Sequence, residues 1–342
     1  MNYPTIIVLV WSVYMLHLFH GSEGAKGSIT TLLAFGDSIL DTGNNNNLQT
    51  TSKCNFPPYG RDFPGGLPTG RFSNGKVFSD LIAEGVGIKG TLPAYRDPKL
   101  QPSDLLTGVC FASGGSGLDY ITGYMQNVLT SSDQVNMFKE YISKLKTQVG
   151  ETSANSIISK AFYLISFGNN DIGYTYYAAH ARPQFEISTY TSTLVYMASK
   201  LVKFAKPFEK ELYGLGARRI GFMSALPLGC LPGAGGGSLS CNEIVNQAAQ
   251  MFNSKLSSEL ASLQTSLSQS NIVYLDVYNP LLDVVRNPQK YGFTTANMGC
   301  VVGVVSCPVA SSYVFWDYAH PTEKTYRIIV NQTLAKYSTI FS

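Results

Sequence analysis

Three short stretches carry residue types able to attack a carbonyl or move a proton: FGDSILDTG at 35–43, ISFGNND at 165–171 and FWDYAHPTEK at 315–324. Ser38 stands just past the apolar run ITTLLA, which reads as a buried strand. A serine at such a strand end exposes its hydroxyl beside backbone N–H groups able to stabilise an anion. Gly36 permits the sharp turn. Capping of a following helix by Asp37 or Ser38 would account for the same residues, so the rest of the chain has to supply the distinction.

A serine is a weak nucleophile until a base takes its proton. Apart from the N-terminal leader, the chain holds two histidines, His180 and His320. His180 lies in the polar loop YYAAHARPQ, with Asp171 nine residues earlier as its nearest upstream acid. His320 follows Asp317 by three residues, a spacing that lets the carboxylate fold back onto Nδ1–H and leaves Nε2 for the serine. Pro321, next in the chain, suits the first position of a helix. An acid near a helix start with a surface histidine beside it is the competing explanation.

Acyl transfer also needs donors for a developing oxyanion. CFASGGSG (110–117) offers backbone N–H groups that glycines bring close, and ISFGNND offers an Asn side chain, while Asp171 can serve as an ordinary helix cap. No GxSxG elbow, HExxH or phosphate-binding GxxxxGK[ST] is present. Gly85-Val-Gly87-Ile-Lys-Gly90 matches GxGxxG but follows a predicted helix instead of a strand, which points to a loop.

The elements that must position these groups are five near-continuous apolar runs, at 29–35, 106–112, 161–167, 218–226 and 271–278. Such runs fit strands buried on both faces of a parallel sheet. Helical periodicity separates them, over Asp133 to Val149, Thr189 to Tyr213, Glu243 to Leu267 and Pro321 to Tyr337. The alternation predicts one doubly wound α/β domain with its sites beyond the carboxyl ends of the strands. Residues 44–104 form a turn-rich excursion with at most one helix, near Val77 to Glu84.

Of 342 residues, 44% are hydrophobic and 14% charged, enough apolar material for a large core and too much for a disordered chain. The net charge of +3 is spread without a basic block, which argues against nucleic acid and against a polybasic membrane patch. The apolar run from about Ile6 to Phe19 has the layout of a secretory signal, predicted over residues 1–25 with cleavage between Gly21 and Gly27. No later segment is long enough to span a bilayer. Six cysteines fit an oxidising compartment. Short intervening loops favour Cys230 with Cys241 and Cys300 with Cys307, leaving Cys54 and Cys110 as free thiols, the latter an inert core group. Asn331-Gln332-Thr333 is a glycosylation sequon on a predicted helix.

FGDSILDTGNN, GVCFASGGSG, FGNND and DYAHPTE together resemble the four blocks of the GDSL, or SGNH, esterase/lipases. NFPPYGRDFPGGLPTGRFSNGKVFSDLIAE and LPLGCLPG resemble its large plant branch, particularly the extracellular lipase-like members, and the likeness runs from about Thr31 to Tyr337. The resemblance implies a three-layer, flavodoxin-like α/β/α fold around a five-stranded sheet, filling residues 28–342 as a single domain. It implies Ser38 as nucleophile, His320 as general base and Asp317 orienting the imidazole. The oxyanion hole would come from the N–H groups of Ser38 and Gly115 and the side-chain amide of Asn170. No metal or organic cofactor is implied, and the partner is an acyl ester, with lipid or cell-wall esters as the classes. Cys110, Leu226 and Tyr318-Ala319 depart from the common pattern at the corresponding positions. An acyltransferase using the same acyl-enzyme, and a catalytically weak lipid- or wall-binding protein, are the alternatives.

Overall fold

A computed structural model describes residues 29–203, 212–234, 240–303 and 305–341. The predicted leader therefore lies outside the described residues. Four short strands, β1 (Leu32–Gly36), β2 (Phe162–Ser166), β3 (Arg219–Met223) and β4 (Asn271–Leu275), form a parallel sheet in that order. The register pairs Leu32 with Phe162, Phe162 with Arg219, and Arg219 with Asn271. Every residue of β1 and β2 is buried, inward and outward positions alike, so both faces of the sheet are covered.

The predicted strand at 106–112 is only partly regular. Residues 109–113 run parallel to β1 on its outer edge, through Ala34 N–H to Val109 O (3.2 Å), Phe111 N–H to Ala34 O (2.7 Å) and Ser113 N–H to Gly36 O (2.9 Å). Pro102–Thr107 is helical, which shortens the run from its start. With this fifth segment the order in chain sequence is second, first, third, fourth, fifth, the flavodoxin-like arrangement. Its switch point falls between β1 and β2. Cys110 also pairs with Ala94 of the excursion, which covers the open edge.

The helices are α1 (Phe78–Gly85), α2 (Pro102–Thr107), α3 (Tyr120–Gln126), α4 (Ser131–Val149), α5 (Glu151–Lys160), α6 (Ile187–Val202), α7 (Glu243–Ser266), α8 (Tyr278–Arg286), α9 (Glu323–Lys336) and α10 (Ser338–Phe341). Reciprocal capping starts α4, where Thr130 Oγ1 accepts from Asp133 N–H (3.2 Å) and Asp133 Oδ2 accepts from Thr130 N–H (2.9 Å). Asn242 caps α7 and Thr322 caps α9. Pro321 is thus outside α9, in a bridge to Phe315, and not at its first position as the sequence suggests. The predicted helix to Tyr213 ends at Val202; residues 204–211 lie outside the described residues.

Cys230–Cys241 and Cys300–Cys307 form disulfides, and Cys54 and Cys110 are free and buried, as the spacing predicts. Burial pushes the Cys110 thiol up to about 12, consistent with an inert core group. The GxGxxG stretch at 85–90 is the loop leaving α1. Asn331 is exposed on α9, while the Thr333 hydroxyl is buried and donates to Ile329 O (2.9 Å). No helix among the described residues is long and apolar enough to cross a membrane.

Candidate active site

β1 ends at Gly36, whose φ of +147° and position against Ser166 exclude a side chain: a Cβ there would lie 2.2 Å from the Ser166 carbonyl oxygen. Gln134 of α4 locks the same residue, accepting from Gly36 N–H and donating to Gly36 O at 2.8 Å each. The chain then makes one turn, with Leu40 and Asp41 N–H both returning to Asp37 O. The helix expected after Ser38 does not form. Asp41 ends the turn by accepting from Gly43, Asn44 and Gly114 N–H, which sends the backbone into the excursion. Asp37 accepts from Ile39 N–H (3.0 Å) and Asn169 Nδ2 (2.8 Å), so it braces the turn. Burial pushes the Asp37 and Asp41 carboxyls up to about 6, against those hydrogen bonds.

Ser38 caps nothing. Its Oγ lies 2.8 Å from Nε2 of His320, which comes from the far end of the chain. Nδ1 of the same ring faces both oxygens of Asp317, at 2.9 and 2.8 Å. Asp317 Oδ1 also accepts from Ala319 and His320 N–H at 2.8 Å each, and Oδ2 accepts from the Tyr59 hydroxyl at 2.8 Å. Burial alone would push the Asp317 carboxyl up; the facing imidazole and these donors outweigh it and leave it below its ordinary value. Asp317 therefore stays ionised and holds the imidazole with Nε2 toward the serine. His180 is exposed at the end of the π-helical segment Asp171–Ala178 and takes no part.

The oxyanion candidates Gly115 and Asn170 line the same cleft as Ser38. Ser38 N–H and Gly115 N–H have no acceptor among the described residues. Asn170 Nδ2 donates to Ser116 O (2.9 Å), which spends one of its two hydrogens and orients the other. Asp171 is not the helix cap the sequence allows. It is buried and accepts from Leu118 N–H, Asp119 N–H and the Thr122 hydroxyl, tying the end of β2 to the segment after Gly115.

Four further groups were not legible as site residues. Asn169 joins three elements, donating to Asp37 and accepting from Leu226 N–H (2.9 Å); its place in the Asn doublet of FGNND was the available signal. Gln126 donates from Nε2 to Gly115 O (3.0 Å) and accepts from the Ser52 hydroxyl (2.8 Å), so it anchors the peptide that follows Gly115. Phe72 lies 4.9 Å, centroid to centroid, from the His320 ring. Tyr59 reaches Asp317 across 258 residues, a contact no local pattern announces.

These groups open into a cleft of about 1120 Å³. The strand order gives it two unlike sides. Near Gly115 lie Gln126 and Asn127, with Gln49, Thr50 and Ser52 hydrogen-bonded to them and Met125 beside them. Past Asn170, toward β3 and α7, lie Leu226, Leu228, Leu231, Tyr177 and Val245. Among the described residues no cluster of His, Cys, Asp and Glu could hold a metal ion.

A parallel α/β sheet with a Ser–His–Asp line at its switch point defines the class of the SGNH-type hydrolases. The chain belongs to the GDSL-like lipase/acylhydrolase family, whose model matches residues 32–333, and so to the carboxylic ester hydrolases. It is 50% identical over 341 residues to one GDSL esterase/lipase of Arabidopsis thaliana, covering 96% of each chain. It is 48% identical over 335 residues to a second from the same plant, covering 96% of this chain and 95% of that one. A catalytic mutant of Axe2, an acetylxylan esterase from Geobacillus stearothermophilus, superposes with a TM-score of 0.43 at 12% identity, over 91% of this chain and 94% of that one.

Proposed function

We propose that the protein is a secreted serine ester hydrolase that cleaves acyl esters through an acyl-enzyme on Ser38. The observation that carries this is the unbroken line from Ser38 Oγ through the His320 ring to Asp317, inside a cleft that Gly115 and Asn170 also line. Ser38 Oγ attacks the ester carbonyl as its proton passes to His320 Nε2. The oxyanion is held by Ser38 N–H, Gly115 N–H and the Asn170 amide. His320 returns the proton to the departing alcohol, and a water molecule, deprotonated by the same ring, then releases the acid.

The apolar side of the cleft supports lipid or cell-wall esters with an extended acyl group as the substrates. The apolar leader sequence and two disulfides support secretion, with residues 28–342 acting as one catalytic domain. Hydrolysis of p-nitrophenyl acetate, butyrate and laurate by the secreted protein, beside a Ser38→Ala variant matched by circular dichroism, tests this reading. Loss of activity by about 10³-fold or more in the variant is expected. Equal, near-background rates would instead move the function to a transferase needing its own acceptor, or to a binding protein.

A further inference from the structure

The motif NFPPYG, in the excursion, has no part in the reaction as described so far. Its tyrosine nevertheless touches the catalytic line. We infer that Tyr59 is a positioning residue for His320, acting through Asp317. This rests on the reading of Ser38, His320 and Asp317 as the reacting line.

The two Asp317 oxygens are served differently. Oδ1 takes the Ala319 and His320 backbone N–H groups, which belong to its own turn. Oδ2 has one donor besides the imidazole among the described residues, the Tyr59 hydroxyl at 2.8 Å. A phenol donating to a carboxylate spreads its charge and fixes its plane. Burial pushes the Tyr59 hydroxyl well up, so it remains a neutral donor at every working pH.

The ring that carries this hydroxyl is held from several sides. Phe56 meets it edge-on at 5.4 Å and Trp316 at 6.3 Å. Arg61, two residues on, lies 5.1 Å over the Trp316 ring and donates to Cys307 O (2.6 Å). The excursion is thus clamped to the C-terminal loop on either side of the Asp317 contact. Other titratable groups facing the Asp317–His320 pair are Cys54 from the excursion, Asp37 from the β1 turn, Tyr318 from the same loop and Tyr326 from α9. Among these described groups Tyr59 alone donates to Asp317 Oδ2.

Tyr59→Phe keeps the ring and removes the donor. The unshared charge on Asp317 then favours the imidazolium more strongly, so the acid limb of the kcat/KM profile moves to higher pH, by about half a unit or more. A lost hydrogen bond to a charged group corresponds to roughly a 10- to 100-fold fall in kcat, with KM little changed. The experiment measures pH–rate profiles on p-nitrophenyl butyrate for wild type, Tyr59→Phe, Asp317→Asn and the double variant. Rates are expressed per serine titrated with a fluorophosphonate, so partial unfolding does not enter. Arg61→Gln, which loosens the excursion but leaves the hydroxyl, is the structural control. The inference expects the profile shift in Tyr59→Phe alone and no further loss when it is added to Asp317→Asn. An unshifted profile, a shift equally present in Arg61→Gln, or full additivity with Asp317→Asn would overturn it. Activity retained by Ser38→Ala would instead remove the reading on which it rests.

Discussion

The two ends of the Ser38–His320–Asp317 line are held in different ways. Ser38 stands one turn beyond β1, whose residues are wholly buried in the main core and locked by Gln134 and the Ser166 backbone. Asp317 and His320 stand on a loop packed on a small satellite cluster of Cys300, Ala310 and Trp316, with Tyr59 against it. That loop is fastened by Cys300 N–H to Phe315 O (3.0 Å), Val301 N–H to Trp316 O (2.7 Å) and the Cys300–Cys307 disulfide. The proposed nucleophile thus shares the stability of the whole domain. His320 and Asp317, the proposed base and its acid, depend on local contacts, and local contacts can open without global unfolding. The difference teaches that damage to the backbone frame under Ser38 should read out as lost folding, and damage to the frame under Asp317 as lost rate.

The largest effect expected is at the hole itself. Asn170→Ala should lower kcat by about 10²- to 10³-fold. Gln126→Ala, which removes a brace and not a donor, should cost about 10-fold, both read from steady-state kinetics on one short-chain ester. Equal losses would mean that the amide of Asn170 does not contact the oxyanion.

Two glycines make the sharpest comparison of the ends. Gly36→Ala would drive a Cβ onto the Ser166 carbonyl at 2.2 Å and force a positive φ on alanine. It is expected to destabilise the domain by several kcal/mol, on the scale of the most disruptive core changes. Gly299→Ala would bring its Cβ to 2.6 Å from the backbone of Asp317. It should lower kcat about 10-fold or more with a small change in Tm, because a displaced Asp317 spoils orientation first. Calorimetry and kinetics on both variants check this, and the reverse pattern would dissolve the distinction.

A smaller effect follows from the buried acids of the serine end. Asp37, Asp41 and Asp171 are each pushed up to about 6 by burial, against about 3.9 in an unfolded chain. Between those values the native state binds more protons than the unfolded one, so stability falls as pH rises through the window. The contribution is complete below about pH 4 and lost as pH passes about 6. Asp317, lowered instead, contributes stability that is lost only as pH falls below the ordinary carboxylate value. The Tm should therefore rise as pH is taken from 7 to 5, and a flat or falling Tm over that range would contradict the assignment.

Much of this architecture was legible from local pattern. Runs such as AFYLISF announce strands buried on both faces, and Asp317 with His320 is a three-residue spacing. What escaped was set by long-range contact or by blurred periodicity. NIVYLDVY reads as one strand, yet β4 stops at Leu275 and Tyr278 already opens α8, because Val277 and Tyr278 are apolar in either state. GYTYYA has no helical stripe and winds as a π-helix. The helix expected after Ser38 was lost to Asp41, whose three backbone partners include Gly114, more than seventy residues on. Tyr59 was invisible for the same reason: its partner is set by the fold alone.

The most direct measurement is fluorophosphonate labelling of the purified protein, followed by peptide mass spectrometry. The adduct is expected on the peptide containing Ser38, at a rate that falls in His320→Ala and with no adduct in Ser38→Ala. A stable wild-type protein that takes up no label, or takes it at another residue, would contradict the account.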